Sequence, residues 1–553
     1  MTDTRRLWWR DAVIYQVYIR SFADGDGDGL GDVAGIRSRL PYLRDLGVDA
    51  IWVNPWYPSP MADAGYDVVD YRDVEPVFGT LGQAEQLVRE AHDLGLKVFL
   101  DIVPNHTSDE HPWFQEALAA GPGSDARGRY HFRAGRGEAG DQPPTDWRST
   151  FGGSAWTRVT EPDGSPGEWY LHLFDVKQPD LNWTRKDVRD EFLDILRFWF
   201  DRGVDGFRID VAHSLTKDMG YPDLGLEEEG VLDSPDRSNH AHWDRDDVFH
   251  IYEEWRELAD SYDPPRAFVA EAWVYSSERL AHYVAPGVLH TAFNFDFVRA
   301  PWSAGPLREV IHTTLASHAT VGAPATWVLS NHDITRHVTR YGRREQVAGA
   351  DIHTGDWEVD VELGRRRGRA AALLMLALPG GAYVYQGDEL ALEEVTDLPD
   401  ELLQDPVWER SGHTLRGRDG CRVPIPWSRS GPSLGFGDAA PWLPQPAHWS
   451  ELSVAAQEGV EGSEGSTLEL YRTALRLRRE LPVLGDGSMH WIDSGAGVLA
   501  FRRDPGFTCV VNLGAAPADL PPHEQVLVSS APLEDGQLPV DAAAWLTAGP
   551  GPE

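Results

Sequence analysis

Short β-branched and aromatic runs alternate along this chain with amphipathic helical stretches, and no other feature limits its fold so tightly. "AVIYQVYI" reads as a strand and "DVAGIRSRLPYLRDLG" as a helix ending at Gly47. "DAIWVN" is a second strand, "LGQAEQLVREAHDLG" a helix ending at Gly95, and "KVFLDIV" a third strand. Helical spacing of the apolar positions and solidly apolar strands together imply βαβ units and a parallel sheet. The rhythm resumes with "KDVRDEFLDILRFWFDRG" and "VDGFRIDV", then "DVFHIYEEWRELADSY" and "AFVAEAWV". "HTAFNFD" and "TWVLSNHD" read as two more strands with a helix between them. "RRRGRAAALLMLAL", "AYVYQGDE" and "STLELYRTALRLRREL" complete the series. Eight strand–helix units predict an α/β protein built on a (β/α)8 TIM barrel.

A chain of 553 residues exceeds one such core, so the remainder must form appendages. Residues 1–104 are expected to form the first part of the barrel. Residues 105–178 interrupt the rhythm with a Gly-, Pro-, Ser- and Arg-rich stretch too long for a plain loop, and predict an inserted subdomain after strand three. Residues 179–484 return to the barrel and include a Pro/Gly/Trp-rich excursion at about 388–460. Residues 485–553, with "GVLAFRRD", "FTCVVNLG" and "QVLVSS", predict a C-terminal antiparallel β-domain.

The formal net charge of −38 disfavours phosphate backbones and anionic lipid, which excludes nucleic acid and membrane surfaces as expected partners and favours a neutral substrate. The apolar run "AAALLMLALPGGAYVY" is split by Pro379 and two glycines, so it reads as helix, turn and strand and not as a membrane span. The stretch "MTDTRRLWWRDAVIYQVYIRSF" shows no leader pattern, and two cysteines make no disulfide framework. These readings predict a cytoplasmic location. Twenty-two tryptophans mostly serve packing, though aromatic faces also stack on sugar rings. The sequence leaves the oligomeric state open.

In a TIM barrel, chemistry collects at the C-terminal ends of the strands. There stand Asp101 and His106 in "DIVPNH", Arg208 and Asp210 in "GFRID", Glu271 in "VAEAW", and His332 and Asp333 in "SNHD", with Tyr66 and Asp67 in "GYD" after strand two. Each alone reads equally well as a cap, an ion-pair partner or a packing histidine. As a set, carboxylates, histidines and an arginine converge on one face from separate strands. No Ser-His-Asp order, phosphate-cradling glycine loop or metalloprotease spacing is present. Paired carboxylates in a cleft suit glycoside hydrolysis. Arg208 is expected to lower the pKa of Asp210 and keep it ionised as a nucleophile, and the apolar setting of Glu271 to raise its pKa for general acid work.

The stretch "FADGDGDGLGDVAG" poses a separate question. Asp24, Asp26 and Asp28 occupy positions 1, 3 and 5 of a calcium loop, Gly29 position 6 and Asp32 position 9. Position 12, which needs a bidentate Glu, is Gly35. A sensor, a structural metal site and a solvated acidic turn all remain open on this pattern.

"DIVPNH", "QPDLN", "GFRIDV", "VAEAW" and "SNHD", in this order, resemble glycoside hydrolase family 13, the α-amylase superfamily, across essentially the whole chain. "QPDLN" looks like its oligo-1,6-glucosidase and α-glucosidase branch, and "GFRIDVAH" and "GRDGCRVPIPW" look most like actinobacterial α-glucosidases. The resemblance implies Asp210 as nucleophile, Glu271 as acid/base and Asp333 as third acid. It implies that His106, Arg208 and His332 bind the sugar, that Tyr66 stacks on it and that Asp67 holds its far hydroxyls. Arg422 would pair with Asp67 and close the pocket, making the enzyme exo-acting on small α-glucosides. The acidic loop would hold one structural Ca2+ or Mg2+ through Asp24, Asp26, Asp28, Asp32 and the Leu30 carbonyl. No organic cofactor is implied. Val211 after the nucleophile is similar to α-1,6-preferring relatives, whereas the following Ala212-His213 resembles maltase-type ones. Maltose and short malto-oligosaccharides are favoured, with transglucosylation also expected. An isomaltase, a trehalose synthase or a sucrose-active transglucosylase shares the same scaffold. A non-catalytic transporter ectodomain is disfavoured because all three acids are kept.

Overall fold

The computed structural model describes residues 7–225, 240–345, 358–461 and 465–548; the first six residues of the stretch read above as lacking a leader pattern lie outside it. Eight parallel strands form the barrel: β1 (Val13–Val17), β2 (Ala50–Val53), β3 (Lys97–Ile102), β4 (Gly206–Ile209), β5 (Ala267–Ala270), β6 (Thr291–Ala292), β7 (Thr326–Val328) and β8 (Gly381–Tyr385). They pair in the order β7-β8-β1-β2-β3-β4-β5-β6. β6 and β7 are joined by the Asn294 N–H donating to the Thr326 carbonyl at 3.3 Å. Nearly every strand residue is buried, which is why the strands read as solid apolar runs and not as alternating ones. Eight helices follow: α1 (Val33–Leu46), α2 (Leu81–Asp93), α3 (Lys186–Phe200), α4 (Val248–Asp260), α5 (Ser277–Tyr283), α6 (Ala304–Val321), α7 (Val361–Ala377) and α8 (Thr467–Glu480).

Helix boundaries follow local chemistry. Asp32 caps α1 by accepting from the Gly35 N–H at 2.6 Å, and Gly47 ends it with φ of 100°. Thr80 and Gln83 form a reciprocal capping box at the start of α2. β6 is shorter than "HTAFNFD" suggests because Asn294 accepts from the Phe297 N–H at 2.9 Å and turns the chain into a short helix, Phe295–Arg299.

Between β3 and α3 lies a three-stranded antiparallel sheet, with Pro166–Leu171 between Phe132–Arg133 and Trp156–Thr160. Lys217 pins this segment to the barrel through a 2.8 Å pair with Asp180 of "QPDLN", both fully buried. The excursion after β8 is a succession of short 3-10 and α-helical turns. The chain ends in a five-stranded antiparallel sheet docked on α7, where Trp545 Nε1 donates to the Leu373 carbonyl at 3.0 Å. One of its inner strands, Ala542–Ala548, was not legible in "AAAWLTA" because alanine favours helix in isolation. Pairing on both edges overrides that preference.

Candidate active site

The C-terminal ends of β3, β4 and β5 bring their acids around one guanidinium. Strand register sets Arg208 of β4 beside Asp101 of β3. Arg208 Nη1 donates to Asp101 Oδ1 at 2.8 Å and to Asp210 Oδ1 at 2.7 Å, while Nη2 donates to Glu271 Oε2. The Arg208 side chain is 1% exposed, so its charge is desolvated and shared among these three acids. Glu271 also accepts from the Val211 N–H at 3.2 Å and from Trp273 Nε1 at 3.0 Å. Trp273 in turn stacks on Phe295 with ring centroids 3.6 Å apart. Glu271 therefore sits among donors and not in the apolar setting expected from "FVAEAW". Two acids sharing one guanidinium fork are compatible with the short carboxyl separation of a retaining glycosidase, roughly 5–5.5 Å.

The expected electrostatics of Asp210 has the wrong sign. Burial pushes its carboxyl up; Arg208 pulls it back, but Glu271 and Asp101 push it up again, and the net direction is upward. Asp101 is raised to about 7, also by burial against the pull of Arg208. One cation serves three carboxylates, so charge crowding outweighs the single ion pair.

Asp333 behaves oppositely. Burial raises it, but the His332 N–H beside it and the Arg418 and Arg422 guanidinium groups more than offset this and hold the carboxyl below its usual range. Arg418 Nη1 and Arg422 Nη2 both donate to Asp333 Oδ1, at 2.9 and 3.1 Å. Burial also lowers the His332 pKa, so the ring is neutral at pH 7. Its Nδ1 accepts from Gln16 Nε2 at 2.8 Å, which leaves Nε2–H facing Tyr66 Oη at 2.7 Å and Asp333 Oδ2 at 3.2 Å. The Tyr66 ring stacks on His332, and its hydroxyl donates to Asp101 Oδ2 at 3.0 Å. His106 is likewise neutral, lowered by burial to about 4.

Asp67 and Arg422 do not form the expected pair. Asp67 is fully buried and accepts from Ser59 Oγ at 2.8 Å, the Ala62 N–H at 2.9 Å and the Asp63 N–H at 3.1 Å. Its carboxylate shapes the turn before Tyr66 and is not turned to the cleft. The acid across the cleft is Asp63, which accepts from Arg418 Nη2 at 2.9 Å and from Gln178 Nε2 at 3.1 Å. Arg422 instead holds Asp333 and the His332 carbonyl. Asp63 lies three residues before Tyr66 in "DAGYD", and Arg418 four before Arg422 in "GRDGCR". The neighbouring motif was thus legible, but which acid and which arginine face the cleft was not.

In the acidic loop, carboxylate oxygens of Asp24, Asp26 and Asp28 lie within 4.8 Å of one another. That donor set suits a hard, oxygen-seeking divalent cation. The structure does not bring Asp32 into this group. Its Oδ2 accepts from the Gly25 and Asp26 N–H groups at 3.0 and 3.1 Å, and its Oδ1 caps α1. Gly35 explains the missing glutamate: a Cβ there would lie 1.9 Å from the Ala23 carbonyl oxygen. Position 12 of the apparent calcium loop is a packing contact in the first turn of α1.

A family model described as "Alpha amylase, catalytic domain" matches residues 16–487. The chain is 37% identical over 540 residues to a Rhizobium meliloti protein bearing the name "Probable alpha-glucosidase", covering 94% of this chain and 92% of the other. It is 34% identical over 513 residues to an oligo-1,6-glucosidase of Heyndrickxia coagulans, covering 87% of this chain and 86% of that one. Among solved structures, the alpha-glucosyl transfer enzyme XgtA matches with a TM-score of 0.85 at 36% identity, covering 99% of this chain and 100% of that one.

Proposed function

The chain belongs to the α-amylase family of glycoside hydrolases, and from that premise we propose that it is an exo-acting, retaining α-glucosidase releasing glucose from the non-reducing end of maltose and short α-glucosides. The observation that carries this reading is the sharing of one guanidinium by Asp210 and Glu271, with Asp333 held ionised by Arg418 and Arg422. Asp210 attacks the anomeric carbon while Glu271 protonates the departing glycosidic oxygen. Glu271 then takes a proton from water as water displaces Asp210, and two inversions leave α-glucose. Asp333 binds sugar hydroxyls and opposes the positive charge that develops on the ring. Neutral His106 and His332 bind hydroxyls as well, and the Asp63–Arg418 pair closes the far wall.

The linkage is tested by rates on maltose and isomaltose, with the anomer of the first-formed glucose read by NMR. Maltose is expected to react faster, with α-glucose appearing first. Faster isomaltose hydrolysis overturns the linkage, and β-glucose overturns the mechanism. Relatives named for 1,6-hydrolysis and for glucosyl transfer favour one further property, that a sugar hydroxyl competes with water for the glucosyl-enzyme at high sugar concentration.

The acidic loop is assigned one structural Ca2+ or Mg2+, held by Asp24, Asp26 and Asp28 with the Leu30 carbonyl, and supplying only rigidity. Saturation at about 100 times Kd stabilises by about 2.7 kcal/mol, so chelation is expected to lower the melting temperature by roughly 2–5 °C. The site fails if calorimetry with and without a chelator gives the same transition. Among the described residues no helix is long and apolar enough to cross a membrane. Two free, buried cysteines suit the cytoplasm.

A further inference from the structure

We propose that Arg410 is a positioning residue that limits how much of a substrate the pocket admits, by clamping the excursion after β8 to the inserted subdomain. The inference rests on the exo-glucosidase reading. Arg410 ends the short helix Pro406–Arg410. Its Nε donates to the Gly152 carbonyl at 3.1 Å, Nη2 donates to the same oxygen, and Nη1 lies 3.7 Å from Asp175 Oδ2. The side chain is 17% exposed, so these contacts are largely shielded from water. They join segments 258 residues apart in sequence.

Each end of the clamp leads into the pocket. On the subdomain side, Gly152 belongs to a tight turn closed by the Ser149 N–H donating to the Gly153 carbonyl at 3.1 Å. That turn carries Phe151, whose ring lies 5.4 Å from the Arg418 guanidinium and 5.9 Å from the Phe174 ring. Phe174 in turn packs 5.2 Å from His106. On the excursion side, Asp405 caps the helix through the Val407 N–H at 2.9 Å. The same carboxylate takes Arg418 Nε, and Arg418 reaches Asp63 and Asp333 at 2.9 Å each.

Both clamped segments are short. One is a turn and the other a five-residue helix. Local order in such elements comes from tertiary contacts and not from intrinsic propensity. Arg410 supplies such contacts to both, a guanidinium fork on a backbone carbonyl beside a carboxylate. With the clamp in place, Phe151 and Arg418 close the wall beyond the first sugar. Without it, the Gly152 turn and the 405–418 segment part, and the space past Asp333 opens to further sugar units.

The test compares maltose with a p-nitrophenyl malto-oligosaccharide blocked at its non-reducing end by a 4,6-O-ethylidene group. Wild type is expected to cleave maltose and leave the blocked chain nearly untouched. Arg410→Ala should raise the blocked-to-maltose rate ratio by about tenfold and the KM for maltose by about threefold, with kcat kept within about twofold. Arg410→Lys should restore KM in part, since an ammonium still reaches the Gly152 carbonyl. If Arg410→Ala does not fold, Asp175→Asn releases only the Nη1 contact and should move the ratio in the same direction. An unchanged ratio and KM overturn the proposal. A fall in melting temperature with equal losses on both substrates overturns it too, by making the role purely structural. A wild type inactive on maltose and isomaltose instead overturns the glucosidase reading beneath it.

Discussion

Asp210→Asn is expected to lower kcat/KM for maltose by about 10,000-fold or more, the scale at which losing a covalent nucleophile leaves only binding and electrostatic assistance. The amide keeps the shape of the side chain and can still accept from Arg208, but it cannot form the glycosyl ester. The fold should not suffer. Burial and the neighbouring acids push the Asp210 carboxyl up, so its ionised form is costly in the empty cleft. A neutral Asn relieves that crowding, and calorimetry should show a melting temperature equal to or above wild type. Loss of activity with gain of stability separates a catalytic acid from a structural one, because a structural acid would show both losses. A second readout fixes the role. Asp210→Gly supplied with azide and an activated α-glucoside should yield the β-glucosyl azide, because the small anion enters the vacated nucleophile position and inverts the centre once. Near-normal turnover by the Asn variant, or an α-azide from the Gly variant, removes Asp210 from this role.

The barrel was legible because its strands and helices are locally self-consistent. "KVFLDI" is a buried parallel strand by composition alone, and "TLGQAEQLVREAHD" carries its own capping box in Thr80 and Gln83. The site was legible to the extent that acids sit at strand ends, since the backbone places Arg208, Asp210 and Glu271 and local sequence sets the strand ends. Two things were not legible. The first is facing within a loop: Asp63 and Asp67 both flank Tyr66, and only the hydrogen bonds of the Ser59–Asp63 turn decide that Asp67 is consumed internally. The same holds for Arg418 and Arg422 on the excursion after β8, which has no periodicity to read. The second is electrostatic sign. Adjacency in "RID" suggested one ion pair, whereas the fold surrounds Arg208 with Asp101 and Glu271 as well. The glycine at position 12 of the calcium-loop pattern has a related explanation. Gly35 is fixed by its contact with Ala23, a contact made when the chain folds α1 back against the end of the short helix Ile19–Phe22.

Arg208→Met is expected to abolish activity and to destabilise the fold by about 3–5 kcal/mol, the range for removing one partner of a buried charge pair. Methionine fills similar volume but leaves Asp101, Asp210 and Glu271 facing one another without a cation. The penalty must then depend on pH, and its sign follows from Asp101. In the folded protein its pKa is raised to about 7 by burial, although Arg208 pulls it down. Unfolded, it titrates near 3.9. The folded state therefore binds the proton more tightly. The stability this contributes is fully present below about pH 4 and is lost as pH rises through about 7. Removing Arg208 takes away the pull and lets the ionised acids repel, so the loss deepens on the alkaline side. Urea midpoints should show a larger gap between wild type and Arg208→Met at pH 8 than at pH 5. Arg208→Lys should recover part of the stability through its charge but little of kcat, since a single ammonium cannot bridge three carboxylates as a planar fork does. A gap that stays constant from pH 5 to pH 8 would mean that the acids around residue 208 are already neutral in the folded protein. An ionised Asp210 poised for attack would then be untenable, and with it the assignment of the catalytic charges to this cluster.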